Sequence, residues 1–255
     1  MYRCNITGNQ FDLSDNEKTR ESGKRFGYNC RFRAICYVLT KLLFNEPKIL
    51  SEIDVNKNIK GIGMSDSSWA SICSIKFNYI NTFYHTEPFL NIYDNQHVSN
   101  YNDLDFIISS DVFEHIDPYP GIQIAFDNLY KCLKKNGFIV FSVPFDNEEH
   151  IEHFPNLFDY QIKLVDNNYI LYNTTIDGKK EVHDKLCFHG GPGNVLEMRK
   201  YSKKSIISYL EKSGFIDITF YEMNEDMKKY GIFWAPEDDS PCNNYSLILS
   251  ARKTI

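Results

Sequence analysis

The fold is decided by residues 104–145, whose sequence is LDFIISSDVFEHIDPYPGIQIAFDNLYKCLKKNGFIVFSVPF. Leu104 to Ser109 is a short apolar run typical of a buried strand, and three small polar residues end it. Apolar residues then recur every three or four positions from Pro120 to Leu133, which predicts a helix. Asn136-Gly137 is a pair that commonly stops a helix.

A second buried strand is predicted from Phe138 to Val143, directly after that helix. A helix that joins two buried strands implies a parallel pair with a right-handed crossover. Because ligands bind beyond the carboxyl ends of the strands in such sheets, we expect Ser109 to His115 to face a ligand.

The same stretch resembles the middle of a class I S-adenosylmethionine-dependent methyltransferase. The strings DFIISSDVFEHI and LKKNGFIVFSVP match that family's apolar strand, polar loop with Glu-His, and turn into the next strand. The resemblance implies a Rossmann-like α/β fold: a mostly parallel sheet with an antiparallel last strand, helices on both faces, an N-terminal arm and a β-hairpin cap insertion. It also implies S-adenosyl-L-methionine as the cofactor and S-adenosyl-L-homocysteine as the product.

Length and composition fit this interpretation. The 255 residues suffice for a single methyltransferase domain over 1–255, with an arm and helix at 1–45 and a cap insertion at 146–200. A net charge of −6 argues against a nucleic-acid partner, which needs a basic surface. No apolar run approaches the roughly 20 residues of a membrane span, and the N-terminus lacks a signal-peptide core. We therefore expect a cytoplasmic protein with a small-molecule substrate; the oligomeric state is not predicted.

Cysteine spacing predicts the absence of a metal. No two of the seven cysteines have Cys-x-x-Cys spacing, so we expect free thiols in a reducing compartment. The arm around Cys4 resembles the front end of methyltransferases found with surface-polysaccharide genes, many of which carry Cys pairs of a zinc ribbon. Here Thr7 stands at the partner position, which predicts that the metal has been lost.

The helix predicted from Cys30 to Phe44 begins with Arg31 and Arg33. Two interpretations stay open for these arginines. They are solvated residues at a helix start, or they belong to an arm that folds over the site and offers guanidinium groups to a carboxylate or phosphate.

The methyltransferase resemblance also implies the cofactor site. It places a glycine-rich loop after the first strand, an acid after the second strand that accepts from both ribose hydroxyls, and a reader of the adenine amino group after the third. The second and third strands are expected within Phe77 to Asp94. The residues expected to bind the cofactor are Gly61, Gly63, Met64, Ser65, Asn81, Glu87, Asn91, Ser110 and Asp111.

The cap carries the sequence His189-Gly-Gly-Pro-Gly193, in which glycine amides can form a nest for an anion. His115, in the loop after the strand at 104–109, and His189 are the expected catalytic residues. Either acts as the base for a hydroxyl acceptor or orients an anionic oxygen. The residues expected to bind the acceptor are Arg31, Arg33, Tyr84, His85, His153, Arg199 and Trp234.

The basic groups in stretches expected to cap the site favour an O-methyltransferase that acts on a small anionic acceptor. The resemblance implies a phosphoramidate, a phosphate or a nucleotide-sugar as that acceptor, and a role in capsular or surface polysaccharide biosynthesis. One alternative is a sugar-hydroxyl O-methyltransferase that uses a histidine base. Another is a non-catalytic methyltransferase-like scaffold, since Lys60 replaces the usual acid before the glycines. A nicotinamide reductase is disfavoured because Gly61 to Asp66 lacks the third glycine of its motif.

Overall fold

A computed structural model of the chain describes residues 1–14, 17–18, 28–66, 69–145, 149–189, 191, 193, 195–233 and 245–254. Its strands are β1 Tyr2–Arg3, β2 Gln10–Phe11, β3 Lys60–Met64, β4 Asn78–Thr82, β5 Leu104–Ser110, β6 Leu133–Phe145, β7 Ile151–Glu152, β8 Asp159–Val165, β9 Asn168–Thr174, β10 Lys180–His183, β11 Phe188–His189, β12 Val195–Leu196, β13 Arg199–Lys200, β14 Phe215–Tyr221 and β15 Tyr245–Lys253. The helices are α1 Cys30–Phe44, α2 Ala70–Lys76, α3 Asn95–Val98, α4 Ile122–Cys132, α5 Lys203–Lys212 and α6 Glu225–Lys228.

Six strands form the central sheet in the order β14-β15-β6-β5-β3-β4. The four strands from β6 to β4 are parallel, and β15 runs antiparallel to both of its neighbours. The carboxyl ends of β3, β4 and β5 therefore meet at one edge of the sheet. This arrangement confirms the predicted fold class.

Helices cover both faces of the sheet because side chains alternate along each strand. Phe106 and Ile108 of β5 pack with α1 and α2, whereas Ile107 packs with α4 and α5 on the opposite face. Helix α1 has the predicted bounds; the Asn29 side chain caps its first turn, and Asn45 ends it at φ 62°. No helix among the described residues is long and apolar enough to cross a bilayer.

Two sequence-based boundaries were wrong. Helix α4 ends at Cys132, before Asn136-Gly137, because Leu133 is already buried in β6 opposite Leu104. Phe77 to Asp94 contains one strand, β4, where two were expected. Beyond Thr82 the chain makes only an isolated bridge between Phe83 and Phe89, so the described sheet ends at β4 on that side.

The glycines predicted to form a loop after the first strand lie inside that strand. A Cβ on Gly61 would stand 2.3 Å from the Phe106 ring, and one on Gly63 would stand 1.7 Å from the Tyr79 hydroxyl. Their missing side chains make room for these aromatic groups, and the described part of the loop after the strand is Ser65 and Asp66.

The cap, residues 149–200, contains the predicted hairpin. Strands β8 and β9 pair antiparallel, with β10 beside β9, and Asp166 and Asn167 take positive φ in the turn. A small core lies beneath this sheet, formed by Phe154, Leu157, Leu171, Leu196 and Met198. The strand pair β7–β13 continues the cap toward β6 through a bridge between Phe145 and Tyr201.

Replacing Gly61 with alanine should destabilise the fold by about 1–3 kcal/mol, since overpacking forces a ring to move. The Phe106 ring cannot yield easily because it is stacked against Tyr79 at 6.0 Å and Phe138 at 6.4 Å between centroids. Urea unfolding measures the loss. In a Phe106→Leu background the cost of Gly61→Ala should shrink, and an equal cost in both backgrounds would show that the ring is not the obstacle.

Candidate active site

Asp111 organises the carboxyl edge of the sheet. It follows β5 at φ 50° and forms an ion pair with Arg31 of α1. The hydroxyl of Ser142 donates to its Oδ1 over 2.6 Å, and Ser246 donates to the same carboxylate over 3.1 Å. Three elements, α1, β6 and β15, thus hold this carboxylate in place. Arg31 and Asp111, which the sequence assigned to different ligands, are brought together.

Asp66 is a second carboxyl group at this edge, and it is fully buried. Its backbone N–H donates to Asn81 Oδ1 over 2.9 Å, which ties the loop after β3 to the end of β4. Burial raises the pKa of Asp66 to about 7, although the Arg31 charge acts against that rise. Within the described residues, neither Asp66 oxygen nor the hydroxyls of Tyr79 and Ser110 have a hydrogen-bond partner. A polar cofactor could supply such partners.

The loop after β4 forms the rim of the site. Glu87 is exposed and its Oε2 accepts from the backbone N–H of Phe89, while Asn91 Oδ1 accepts from that of Tyr93. Tyr84 and His85 are exposed, with ring centroids 4.8 Å apart. These four predicted residues lie on one loop, and each has an accessible or half-exposed side chain.

The cap forms hydrogen bonds with a 3-10 turn, Phe113–His115, that lies just beyond Asp111. The Phe113 carbonyl accepts from Arg199 Nη1 over 2.9 Å and from the Tyr201 hydroxyl over 3.1 Å. The Glu114 carbonyl accepts from the backbone N–H of Met198 over 2.7 Å. This turn is therefore held by the cap as well as by β5.

A group of histidines and glutamates, the Glu–His cluster, lies where the turn meets the cap. It consists of Glu114, His115, His153, His189 and Glu197. Glu197 contacts His153 Nε2 and His189 Nε2 with its two oxygens, each over 2.9 Å. Glu114 Oε1 lies 3.5 Å from His115 Nε2 and 3.4 Å from His189 Nδ1. The predicted catalytic pair, His115 and His189, is thus brought together with ring centroids 4.8 Å apart.

Both glutamates of the cluster are fully buried, so their charges dominate the electrostatics. Burial lowers the pKa of His189, but Glu114 and Glu197 outweigh this and raise it to about 9. Burial raises the pKa of Glu197, yet His153 and His189 bring it down to about 2. His189 is then a cation at neutral pH and cannot act as a general base in that form.

Two arginines predicted to bind the acceptor have structural roles instead. Arg33 is 1% exposed, donates to the carbonyls of Tyr28 and Gly231, and stacks on Phe11. Arg199 is fully buried and pairs with Glu152 over 2.8 Å. Neither guanidinium is accessible to a substrate, which corrects both predictions.

Other predictions have different outcomes. Trp234, Gly190 and Pro192 lie outside the described residues, so the predicted glycine nest and aromatic wall stay predictions.

Cys187 is disulfide-bonded in the structure, which corrects the expectation that all seven cysteines are free thiols; five of them are free and buried.

Sequence reasoning missed Glu114, Glu197, Asp117 and Tyr160. The Tyr160 hydroxyl on β8 donates to Asp117 Oδ1 over 3.1 Å and so joins the cap hairpin to the loop after β5. Burial raises the pKa of Asp117. The one available signal was Glu114, which stands beside His115 in the family-like string FEHI. Nothing local marks the other three.

Asp66 should make stability depend on pH. Because its folded pKa lies above the usual 3.8, the folded state holds this proton longer, and the free energy of unfolding falls as pH rises from about 4 to about 7. The asparagine side chain of Asp66→Asn is neutral at every pH. The free energy of unfolding of this variant, relative to that of wild type, should therefore rise by more than about 1 kcal/mol between pH 5 and pH 8. Urea unfolding at both pH values measures this gain. The control is Asp54→Asn, which changes an exposed aspartate. If the free energies of unfolding of Asp66→Asn and wild type differ by the same amount at both pH values, the prediction is wrong.

Comparison with known proteins places the chain in a family. The family model described as a methyltransferase domain matches residues 9–218, which is most of the chain. No curated protein matches it. Solved structures that are similar in fold at low identity include the following three, with the covered percentage of this chain given before that of the other chain.

The first is a Burkholderia thailandensis 1,6-didemethyltoxoflavin-N1-methyltransferase with bound 1,6-didemethyltoxoflavin and S-adenosylhomocysteine (10% identity, 77% and 71% covered, TM-score 0.42). The others are S-adenosylmethionine-dependent methyltransferases from Clostridium acetobutylicum (11%, 88% and 100%, 0.42) and Archaeoglobus fulgidus (12%, 90% and 97%, 0.46). With the sheet order and the family match together, the chain belongs to the methyltransferase-domain family and is an S-adenosylmethionine-dependent methyltransferase.

Proposed function

We propose that this methyltransferase transfers a methyl group to a hydroxyl oxygen of a small, uncharged acceptor such as a sugar. The observation that supports this most is the Glu–His cluster, which the cap holds beside the carboxyl edge of the sheet. A neutral hydroxyl must lose a proton during methyl transfer, so it needs acid–base or electrostatic help next to the reacting oxygen.

The cofactor would lie at the carboxyl edge. S-adenosylmethionine supplies an electrophilic methyl group on a sulfonium, and it also carries an ammonium group. Arg31 pairs with Asp111, and the charges of both residues act on the pKa of Asp66, which Arg31 lowers and Asp111 raises. Two carboxyl groups beside one guanidinium favour the binding of a further positive charge, such as the ammonium group of the cofactor. The buried, unpartnered oxygens of Asp66 and Ser110 suit the polar ends of such a ligand.

The charges near the cap argue against the anionic acceptor that the sequence favoured. Arg33 and Arg199 are buried, and Arg31 is paired with Asp111. Where the cap meets the turn after β5, the carboxylates Glu114, Glu197 and Asp117 outnumber the cation His189, so the side-chain charges of the protein disfavour a phosphate there. The rim offers tyrosine hydroxyls at positions 84, 93 and 160, which can both donate to and accept from a polyol.

A role in capsular or surface polysaccharide biosynthesis stays a prediction from the sequence. It is compatible with a sugar acceptor, and identifying the methylated product would test it.

Cofactor binding separates the enzyme from a non-catalytic scaffold. Calorimetry should show S-adenosylhomocysteine binding in the micromolar range. If Glu87 bonds the ribose hydroxyls, Glu87→Ala should cost about 1–3 kcal/mol because the hydroxyls lose their acceptor. Glu211→Ala, which removes an exposed glutamate on α5, is the matched control. No binding at millimolar cofactor would favour the scaffold.

Acceptor charge is tested by single-turnover transfer of labelled methyl to paired sugars with and without a phosphate. We expect the neutral member of each pair to react at least tenfold faster, with little dependence on salt, because Arg31, Arg33 and Arg199 are paired or buried and do not attract an anion. Faster reaction of the phosphorylated members, weakening as salt is added, would restore the anionic acceptor.

A further inference from the structure

We propose that Glu114, His115 and His189 form a binding site for a divalent transition-metal cation, with Glu197 and Leu196 as its outer partners. The expectation that this protein lacks a metal came from its cysteines alone. The proposed site uses no cysteine and joins residues that are 75 positions apart in the chain, between His189 and Glu114.

Two of the three separations between the candidate ligand atoms are those of a coordination shell. Glu114 Oε1 lies 3.5 Å from His115 Nε2 and 3.4 Å from His189 Nδ1, and all three atoms lie within 4.8 Å of one another. Ligands at about 2.1 Å from a tetrahedral metal stand about 3.4 Å apart. The same separations are too long for strong hydrogen bonds.

Outer contacts orient both imidazoles toward the common point. His115 Nδ1 lies 2.7 Å from the Leu196 carbonyl, which can only accept, so Nδ1 carries the proton and Nε2 presents a lone pair to Glu114. His189 Nε2 is 2.9 Å from Glu197 Oε2, which leaves Nδ1 directed at Glu114. Metal-binding histidines are typically held in this way by a carboxylate or a carbonyl on the second nitrogen.

The buried charge of Glu114 is an independent observation that supports the metal site. Its carboxylate is fully buried, and within the described part of the chain neither oxygen has a hydrogen bond. A buried carboxylate without hydrogen bonds is costly, and a cation at the centre of the three ligand atoms would bind it directly.

The ligand set selects the class of metal. Two imidazole nitrogens and one carboxylate suit Zn²⁺, Mn²⁺, Fe²⁺ or Co²⁺ better than Ca²⁺ or Mg²⁺, which prefer oxygen alone. A second grouping, of Cys187, His189 and Glu197, is less suitable because Cys187 is disulfide-bonded.

Three protein ligands leave coordination positions open. If the proposed function holds, an acceptor hydroxyl could occupy one of them and lose its proton more easily there.

Cobalt titration tests the site directly, because Co²⁺ bound to nitrogen and oxygen ligands has visible absorption bands that report its geometry. Wild-type protein should bind one Co²⁺ per chain at micromolar concentration. His115→Ala, His189→Ala and Glu114→Gln should each weaken binding at least 100-fold. His183→Ala is the matched control, since His183 lies in the same cap beside Glu181 but outside the cluster, and it should bind like wild type.

Circular dichroism shows whether each variant is folded. Should one fail to fold, nitrogen NMR of wild-type histidines replaces it, and added Zn²⁺ should shift His115 and His189 but not His183. The proposal is wrong if wild type binds no Co²⁺ or Zn²⁺ at millimolar concentration, or if folded variants bind as wild type does. If wild type binds S-adenosylhomocysteine but neither Co²⁺ nor Zn²⁺, the metal proposal fails and the methyltransferase assignment stands.

Discussion

Two buried carboxylates on either side of one imidazole constrain this molecule more than any other contact. Glu114 comes from the turn after β5, Glu197 comes from the cap, and His189 lies between them. Buried charges are tolerated only when opposite charge and hydrogen bonds are close at hand. The cap therefore has to stay docked on the sheet, and the Arg199 and Tyr201 contacts to the Phe113 carbonyl hold it there.

Under the proposed function, the reaction centre lies at a seam, where the cap meets the turn after β5. The sheet contributes the carboxyl edge with Asp66 and Asp111, where we propose that the cofactor binds, and the cap contributes His153, His189 and Glu197. Neither part is complete alone, because Glu114 without the cap histidine would be a buried anion without compensation. The cap is in this sense part of the site itself, in addition to covering it.

Local sequence patterns predicted the parts of the fold that local physics determines. The strand–helix–strand unit at 104–145, helix α1 and the cap hairpin follow from apolar periodicity and turn residues. The glycines were misplaced because strand β3, which begins at Lys60 with its N–H bonded to Asp105, continues to Met64 through the position expected for the loop.

The site was less predictable because it depends on pairs that are distant in sequence. Arg33 and Arg199 were counted as surface cations, but they are buried against carbonyls and carboxylates that only the folded chain provides. Their burial removed the positive surface on which the anionic-acceptor hypothesis depended. His115 and His189 were identified separately, and the position of Glu114 beside His115 did not show that its carboxylate joins the two histidines.

The central claim is that the cap and the turn after β5 build one reaction centre beside the cofactor. Diffraction from crystals grown with S-adenosylhomocysteine and Co²⁺, recorded at the cobalt edge, tests it most directly. The account predicts the cofactor at the carboxyl ends of β3 to β5 and one anomalous peak bounded by Glu114 Oε1, His115 Nε2 and His189 Nδ1. A cofactor bound elsewhere, or no anomalous peak at the seam, would contradict it.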